Sequence, residues 1–319
     1  MTAGTSRCST PSSRLTAVAA LAVAGTLALA GCGDQTKKDD SSSSSSASPS
    51  SGRAAKAPLF DKLPQKYQSA GVIKVGTDAS YAPMEMTQNG KIVGVDPDIA
   101  DALSKQLGVK FEFTNGQFDG LITSLYTGRE DIVMSSMSDT KARQQGLDDS
   151  GKKTGKGVDF VDYYMSGSSL VVQKGNPKGI KSLDDVCGKT VAVQRGTTFE
   201  DVFKQQKKTC GSKGLTIESF DTDAEAQTRV KAGGAVADLN DTPVAAYIAQ
   251  QSKGAFEIAG SPAGAGPFGI ALDKSNTQLR DALKEAMDAI LADGTYAKAL
   301  QKWNASIGAI PQVTINGGS

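Results

Sequence analysis

Three serines and an arginine crowd one stretch of the chain, MSSMSDTKAR, and together they could bind an anion. Ser135, Ser136 and Ser138 lie at the end of an apolar run, and Arg143 follows five residues after the last of them. Arginine can grip a carboxylate through two parallel N–H bonds, which lysine cannot do. The stretch is therefore a candidate anion site at the mouth of a strand, and the alternative from the residues alone is that Arg143 is a solvated surface charge.

Two later stretches carry polar residues where a predicted strand gives way to a helix. In VAVQRGTT, Gln194 ends the strand, and Thr197 and Thr198 open a helix whose free N–H groups favour an anion. This stretch lacks the glycine-rich loop and the lysine of a phosphate-binding P-loop. In LNDTP, Asp241 could hold an ammonium group or cap the following helix, and both roles stay open.

The composition removes several classes of function. The 319 residues suffice for two domains, and 35 Lys and Arg against 34 Asp and Glu leave no basic footprint for nucleic acid. The sequence has no histidine, which excludes Ser-His-Asp and Cys-His nucleophiles and His-ligated metals. We therefore expect no nucleic-acid partner, no cofactor and no metal, and an enzyme would have to use carboxylates, lysine or tyrosine.

The first 31 residues are predicted to be an export signal. Arg7 and Arg14 accompany an apolar run of 16 residues, 15–30, which is shorter than the roughly 20 residues that a membrane span needs. The run ends in LAGC, which resembles the lipobox of bacterial lipoproteins. That resemblance implies cleavage before Cys32 and acylation of Cys32, and the alternative is a plain signal peptide with an incidental cysteine.

Residues 32–57 are predicted to be a disordered tether that begins at the lipidated cysteine. They include six consecutive serines and no aromatic residue, so they have nothing to bury. More than one acyl chain on Cys32 would anchor the protein stably. We therefore expect the body of the protein to be held at the outer face of a bacterial cell membrane.

Two cysteines remain in the body, Cys187 and Cys210. In an exported chain such a pair most simply forms a disulfide, and the alternative is two free thiols. The sequence therefore predicts a disulfide that closes a short loop.

Strand and helix patterns alternate along the body, which predicts parallel sheets covered by helices. The Asn-Gly pair in MTQNGKIVGV predicts a tight hairpin, Asp96 and Pro97 predict the start of a helix with Asp96 as its cap, and Gly108 predicts its end. A surface loop without an assigned role is expected at 146–157, and a flexible run that leads into one more strand, SPAGAGPFGIALDK, is expected after Gly260. The remaining predicted elements are the strands VIKVGTD, VKFEFT, EDIVMSSM, SLVVQK, KTVAVQ, LTIESF and VADLND and the helices FDGLITSLYTG, SLDDVCG, FEDVFKQQKK, 223–232, TPVAAYIAQQ, NTQLRDALKEAMDAILADG and TYAKALQKWNASIG.

The order of these elements predicts an α/β fold with two lobes. One parallel-dominated sheet is built, the chain crosses to build a second sheet, and it then returns, so two connecting strands would form a hinge. The first lobe would comprise residues 58–165 and 269–319, and the second lobe residues 166–268. Ligands in open α/β sheets bind at the carboxyl ends of strands, which is where the three polar stretches lie.

The body resembles a solute-binding protein of a bacterial ABC importer, in the group that binds polar amino acids (family 3). The resemblance covers nearly everything from Leu63 to Ser306, and it implies a two-lobed periplasmic-binding-protein fold of type II. The matching stretches are DASYAPMEM, GKIVGVDPDIADAL, FDGLITSL, DIVMSSMSDTKAR, VDFVDYYMSGSSLVVQKG, VAVQRGTT, LNDTPVAAY and ADGTYAKALQKW. The ligand-binding residues that the resemblance implies by matched position are Asp78, Tyr81, Phe118, Ser136, Ser138, Arg143, Thr198 and Asp241. Thr197 joins them at the start of the same helix as Thr198, and Ser135, Gln194 and Phe199 are predicted to line the site.

Within this set, the resemblance implies a clamp for a free α-amino acid. Arg143 would grip the carboxylate, Ser138 and Thr198 would add donors to the same oxygens, and Asp241 would hold the ammonium group. Because Arg143 and Thr198 would come from different lobes, the ligand would bridge the lobes and stabilise the closed form.

The choice of amino acid rests on fewer residues. Asp78 resembles the carboxylate that meets a cationic or amide side chain in relatives, and Asp96 is a candidate neighbour. Phe199 departs from relatives that place a polar residue after GTT, and Arg195 could attract an acidic ligand if it pointed inward.

These observations favour a monomeric, non-enzymatic lipoprotein that captures a polar amino acid, preferably one with a basic or amide side chain. Lobe closure would hold the ligand for delivery to the permease subunits of an ABC importer. One alternative is a lipid-anchored amino-acid sensor. The other is a dehydratase-like enzyme on the same fold, against which the complete Arg143–Asp241 clamp argues.

Overall fold

Two long antiparallel strands, β7 (Val158–Gln173) and β11 (Phe256–Asp273), run side by side through the centre of the main sheet. The structure is a computed structural model, and it describes residues 56–148 and 150–319. The predicted export signal, Cys32 and nearly all of the predicted tether lie outside the described residues.

Six further strands join β7 and β11 in the main sheet: β1 (Val72–Thr77), β5 (Lys110–Asn115), β6 (Ile132–Val133), β8 (Thr190–Gln194), β9 (Thr216–Phe220) and β10 (Asp238–Asp241). Within the described residues, the strand order of this sheet is β5-β1-β6-β11-β7-β10-β8-β9. Strands β5, β1 and β6 are parallel to one another, as are β10, β8 and β9, and the antiparallel pair β11 and β7 joins the two parallel sets. A separate antiparallel sheet consists of β2 (Ser80–Tyr81), β3 (Glu85–Gln88) and β4 (Lys91–Val93).

Helices cover both sets of parallel strands, and short 3-10 helices occur between other elements along the chain. The α-helices are α1 (Gln65–Ala70), α2 (Val95–Leu107), α3 (Leu121–Tyr126), α4 (Lys141–Gln145), α5 (Thr198–Thr209), α6 (Asp223–Lys231), α7 (Thr242–Gln251), α8 (Thr277–Ala292) and α9 (Thr295–Lys302). The 3-10 helices are Phe60–Lys62, Phe118–Gly120, Leu183–Val186, Gly211–Lys213 and Ser306–Gly308.

The predicted α/β fold, with parallel strand sets, flanking helices and two connecting strands, is confirmed. One difference is that the two predicted sheets are the two ends of a single hydrogen-bonded sheet, because β7 and β11 pair along almost their whole length. We call β5, β1 and β6 with their helices the first half, and β10, β8 and β9 with theirs the second half. The predicted lobe boundaries, after 165 and after 268, fall inside β7 and β11.

Several structural features that were predicted from local sequence are confirmed. Asn89 and Gly90 both have positive φ, as a two-residue hairpin turn requires, and Gln88 pairs with Lys91 across it. Gly108 ends α2 in the left-handed conformation. Cys187 and Cys210 form the predicted disulfide.

Other local predictions are wrong, because tertiary contacts outweigh local preference. Residues after Gly260, predicted to be flexible, belong to β11, where pairing with β7 organises a stretch rich in small residues, with register shifts at Ala259, Ala263 and Phe268. The strand predicted in EDIVMSSM is limited to Ile132–Val133. Asp96 does not cap α2, which begins at Val95; it is fully buried inside the first turn.

The largest core lies between the sheet and helices α2, α8 and α9. Ile99 and Leu103 of α2 and Leu283 and Ile290 of α8 are completely buried there. A second core under β8, which includes Val191 and Phe203, fills the second half. Burial of a side chain of this size stabilises the fold by about 1.5–3 kcal/mol, so these cores hold the strand ends in place.

Among residues 56–148 and 150–319, no helix combines the length and the apolar character that crossing a bilayer requires. Apart from turns and bends, the described residues of the predicted loop at 146–157 contain only a single bridge, between Leu147 and Lys153. Asp148 in this loop is exposed, and its carboxylate accepts from the N–H groups of Ser150 and Lys152.

Candidate functional site

A cavity lies between the two halves, and every predicted ligand-binding residue lines it. Those residues are Asp78, Tyr81, Phe118, Ser135, Ser136, Ser138, Arg143, Gln194, Thr197, Thr198 and Asp241, and Glu85 and Phe199 line it as well. Their role in binding a ligand stays a prediction, but the structure brings all of them to one place.

The ends of four strands bring these side chains together. Asp78 directly follows β1, Ser135 lies two residues after β6, and Gln194 and Asp241 are the last residues of β8 and β10. Parallel neighbouring strands present their carboxyl ends at one edge, so residues far apart in sequence meet there. The cavity therefore lies where an open α/β sheet normally binds its ligand.

Arg143 is held by carbonyl groups from both halves. It lies on α4, and its Nη1 donates to the carbonyl oxygen of Ser138 at 2.8 Å while its Nη2 donates to that of Gly196 at 3.1 Å. Its guanidinium carbon lies 5.5 Å from the centre of the Phe118 ring, a cation–π contact. Two carbonyls and one aromatic face thus fix the guanidinium at the cavity wall while N–H groups remain for an anion.

Tyr81 and Asp241 join the two halves on another side of the cavity. The Tyr81 hydroxyl donates to Oδ2 of Asp241 at 2.8 Å and accepts from the Asp241 N–H at 3.2 Å. Asp241 occupies the cap position of α7, but its side chain accepts no capping bond from that helix. The structure therefore places the Asp241 side chain at the cavity and not on the helix end, and its role in holding an ammonium group stays a prediction.

A further link between the halves reaches Asp78. Nε2 of Gln194 donates to Oδ2 of Asp78 at 2.6 Å, and the Ser80 hydroxyl donates to Oδ1 at 2.7 Å. A carboxylate can accept about four hydrogen bonds, so Asp78 has capacity for further donors.

The two halves also meet at the start of α5. Oγ of Ser138 lies 3.4 Å from Oγ1 of Thr198, and Thr197 caps the helix by accepting from the Glu200 N–H. A Cβ added to Gly196 would lie 2.8 Å from Cβ of Asp119, so only glycine lets the halves approach this closely. The first N–H groups of α5 therefore reach the same wall as the Arg143 guanidinium.

Glu85 is the site residue that the sequence reasoning missed. It is 1% exposed, and its two carboxylate oxygens accept from the hydroxyls of Ser135 at 3.1 Å and Ser136 at 3.2 Å. The stretch DASYAPMEM contains Glu85, but a single glutamate in a short hairpin strand is normally exposed. No local signal in the sequence distinguishes it.

Asp96 stands directly behind these serines. It accepts from the Ser136 N–H at 3.1 Å and from the Tyr163 hydroxyl at 2.8 Å. Ser136 has a φ of 47°, in the left-handed region that non-glycine residues rarely adopt. Bonds to Glu85 and Asp96 hold Ser136 in this conformation, so Asp96 supports the cavity wall and does not cap the helix.

The carboxyl groups of the cavity have too few positive partners. Burial raises the pKa of Asp78, and burial together with the charges of Asp96 and Asp78 raises the pKa of Glu85 well above its usual value. Burial also raises the pKa of Asp241 to about 7, against the effect of the hydrogen bond from Tyr81. Burial lowers the pKa of Arg143 to about 10, so Arg143 stays cationic at neutral pH. A ligand with cationic groups would stabilise the ionised form of each carboxyl.

Arg195 does not take part in the cavity. Its side chain is exposed, and Nη1 donates to Oδ1 of Asp221 at 2.5 Å. The condition under which Arg195 could attract an acidic ligand is therefore not met. Phe199 does line the cavity, so an aromatic ring stands where the resemblance led us to expect a polar side chain.

Comparison with known proteins agrees with this architecture. Residues 73–306 match the family described as bacterial extracellular solute-binding proteins, family 3. The chain is 33% identical over 254 residues to the histidine-binding periplasmic protein of Salmonella typhimurium, covering 76% of this chain and 89% of that protein. It is 27% identical over 254 residues to the L-cystine-binding protein TcyJ of Escherichia coli K12, covering 79% of this chain and 90% of that protein.

A solved structure shares the fold. An ancestral arginine-binding protein bound to arginine superposes with a TM-score of 0.65 at 38% identity, covering 73% of this chain and 98% of that chain. The family match spans most of the described residues, including both halves and the whole cavity wall. The chain therefore belongs to family 3 of the bacterial extracellular solute-binding proteins.

Proposed function

We propose that the protein captures an amino acid with a cationic side chain, or less strongly an amide side chain, outside the cell and delivers it to an ABC importer. The observation that carries the choice of ligand is the imbalance of charge at the cavity. Three carboxyl groups, those of Asp78, Glu85 and Asp241, line it with one guanidinium, that of Arg143. An amino acid with a cationic side chain brings one anionic group for Arg143 and two cationic groups for Asp241 and Asp78, while the raised pKa of Glu85 favours its neutral form and leaves no third cation to be supplied.

The proposed clamp assigns each end of the ligand to residues with matching chemistry. Arg143 binds the α-carboxylate through two N–H groups, and Ser138 and Thr198 add donors to its oxygens. Asp241 binds the α-ammonium group. Asp78, with Glu85 behind it, meets the side-chain cation or amide.

Binding is proposed to close two lobes around a hinge. The lobes would be 58–165 with 269–319 and 166–268, so β7 and β11 would bend where they pass from one lobe to the other. Contacts from Arg143 to Gly196, from Tyr81 to Asp241 and from Gln194 to Asp78 span the two lobes and support a closed arrangement. A ligand bound by both lobes favours the closed state by its difference in affinity for the two states.

The names of the relatives support the common part of the clamp. One is named for histidine, one for cystine and one for arginine, and these ligands share an α-carboxylate and an α-ammonium group. Their side chains differ, so selectivity must come from Asp78, Glu85 and the neighbouring wall. The arginine-binding structure favours the cationic class proposed here.

Attachment to the membrane is part of the proposal and rests on the sequence alone. The lipobox-like LAGC would place a lipidated Cys32 at the start of the mature chain, with the body held on the tether of residues 32–57. Replacing Cys32 with Ser should leave ligand binding intact and move the protein into the soluble fraction. Retention of the Cys32→Ser protein in washed membranes would contradict a lipid anchor.

Delivery for transport is preferred over sensing or turnover, because the relatives are named as binding proteins. Deletion of the gene should abolish uptake of the labelled ligand, and re-expression should restore it. Normal uptake in the deletion strain would favour a sensor. Any chemical change in the ligand after long incubation with purified protein would favour an enzyme.

The decisive test of the ligand is isothermal titration calorimetry with a panel of amino acids. The panel contains L-arginine, L-lysine, L-ornithine, L-histidine, L-glutamine, L-cystine and L-glutamate, with agmatine as an arginine analogue that lacks the carboxylate. We expect micromolar or tighter binding, about −8 kcal/mol or more, for at least one basic amino acid and at least a hundredfold weaker binding of agmatine. Preference for glutamate or cystine would overturn the cationic class but keep amino-acid binding.

A further inference from the structure

A segment near the end of the described chain, residues 313–318, is fastened along the first part of β7; we call it the strap. Val161 and Ile315 form an antiparallel bridge, the Asp162 N–H donates to the carbonyl of Thr314 at 2.9 Å, and the Asn316 N–H donates to that of Phe160 at 3.1 Å. The strap is therefore held in a fixed register against β7.

Beyond this pairing, the strap reaches the segment that carries Arg143. The Gly318 N–H donates to Oδ2 of Asp139 at 2.8 Å, and Nε2 of Gln144 donates to Oδ1 of the same carboxylate at 2.7 Å. Nε2 of Gln144 also lies 3.4 Å from the carbonyl oxygen of Gly318. Asp139, Gln144 and Gly318 thus form a closed ring of hydrogen bonds, and all three are buried.

The ring has no room for a larger residue at the strap. A Cβ added to Gly318 would lie 2.0 Å from the carbonyl oxygen of Asp139 and 2.8 Å from its side-chain carboxyl carbon. Even alanine at this position would have to push the strap and Asp139 apart. The close contact between Gly318 and Asp139 therefore requires glycine at position 318.

The orientation of α4, the helix that contains Gln144, depends on its tertiary contacts. α4 has five residues, and a helix of that length is unstable without tertiary contacts. Thr140 caps it by accepting from the Arg143 N–H at 3.2 Å, and Gln144 is its buried residue. Ser138 directly precedes Asp139 in the chain, and its carbonyl oxygen accepts a hydrogen bond from the Arg143 guanidinium. The ring thus fixes both the backbone that carries Arg143 and the carbonyl that aims it.

We propose that Gln144 is a positioning residue for the amino-acid clamp and that the strap, through Gly318 and Asp139, holds it in place. In this arrangement the Arg143 guanidinium meets the ligand carboxylate only because Gln144 ties α4 to the strap. The inference rests on the proposed function of Arg143 as the carboxylate-binding residue. It adds three residues, Gln144, Asp139 and Gly318, that lie outside the cavity wall.

The test compares Gln144→Ala with Gln145→Ala in purified protein. Gln145 is the next residue of the same helix and is exposed, so its variant controls for changes in helix propensity and surface. Each substitution is made in the wild-type protein and in the Arg143→Ala protein, and L-arginine binding is measured by calorimetry. Gly318→Ala provides a second variant that disturbs the ring from the strap side, and the melting temperature of every variant is recorded.

We expect Gln144→Ala and Gly318→Ala to weaken L-arginine binding at least tenfold in the wild-type background and less than twofold in the Arg143→Ala background. Gln145→Ala should change affinity less than twofold in both. Equal losses in both backgrounds would overturn the inference, because the ring would then act on the fold and not through Arg143. Wild-type affinity in both ring variants would also overturn it. If the unmodified protein binds no amino acid on the panel, the proposed function itself is wrong.

Discussion

Replacing Arg143 with alanine should weaken binding of every amino acid, whatever its side chain. The reason is that, among the described residues that line the cavity, Arg143 is the only one with a cationic side chain, so the ligand carboxylate would enter a closing cavity without its partner. The size of the loss follows from the donors that the structure leaves available. A guanidinium has five N–H groups, and two of them are used by the carbonyls of Ser138 and Gly196.

Three N–H groups therefore remain, enough for a two-bond clamp on a carboxylate. Hydrogen bonds to charged groups contribute about 1.5–3 kcal/mol each, so the clamp contributes about 3–6 kcal/mol. Each 1.4 kcal/mol corresponds to a tenfold change in affinity. Arg143→Ala should then raise the Kd by a factor of about 100 or more.

The assay is calorimetric titration of L-arginine into the Arg143→Ala, Arg143→Lys and Arg195→Ala proteins. Arg143→Lys keeps the charge but loses the paired N–H groups, so we expect an intermediate loss. Arg195→Ala removes an exposed cation outside the cavity and should bind like the unmodified protein. A change of less than about threefold for Arg143→Ala would refute the assignment of the carboxylate to Arg143.

Three further predictions follow from particular side chains. Asp78→Asn should weaken binding of arginine and lysine at least tenfold and of glutamine much less, because the substitution removes the charge of the side chain but keeps its shape. An equal loss of affinity for all three ligands in titrations would show that Asp78 does not contact the ligand side chain. The pKa of Asp241 is about 7 without ligand, and an ammonium group binds to the ionised form of its carboxyl group. Below that pH the carboxyl group is mostly protonated, so binding must release its proton. Affinity should then drop about tenfold from pH 8 to pH 6, with proton release seen as a buffer-dependent binding enthalpy, and a flat profile would contradict the role. Replacing Cys187 and Cys210 together with serine should lower the free energy of unfolding by about 3 kcal/mol in urea titrations, because the disulfide closes a short loop, and should leave ligand affinity unchanged; an unchanged urea midpoint would contradict that contribution.

Much of the site could be predicted from the sequence because its residues follow strands. Asp78, Gln194 and Asp241 each come at or just after a predicted strand, and the rule for open α/β sheets brings such positions to one edge. The resemblance to the family then added Tyr81 and Phe118, which no periodic pattern marks as cavity residues.

The parts that the sequence did not reveal depend on tertiary contacts. Glu85 is buried because hydroxyls of Ser135 and Ser136, fifty residues later, satisfy its carboxylate. Asp96 carries the signal of a helix cap, yet its buried position is fixed by bonds to Ser136 and Tyr163. Each is a case in which a distant partner decides the role of a charged residue.

The same reasoning explains why the run after Gly260, expected to be flexible before one more strand, is itself part of β11. A stretch of Gly, Ala, Ser and Pro has little intrinsic preference for a strand, and its order comes from pairing with β7. One of its three register shifts, between Phe268 and Gly269, falls at the predicted boundary after 268, and the other two lie between Ala259 and Gly266. Local preference thus fails at the position where two halves are joined.

The most direct test of the central claim is a crystal structure of the protein grown with L-arginine. The account predicts the ligand between the two halves, with its carboxylate on Arg143, its α-ammonium group on Asp241 and its guanidinium toward Asp78. A ligand found elsewhere, or Arg143 and Asp241 both turned to solvent with the ligand bound, would contradict it.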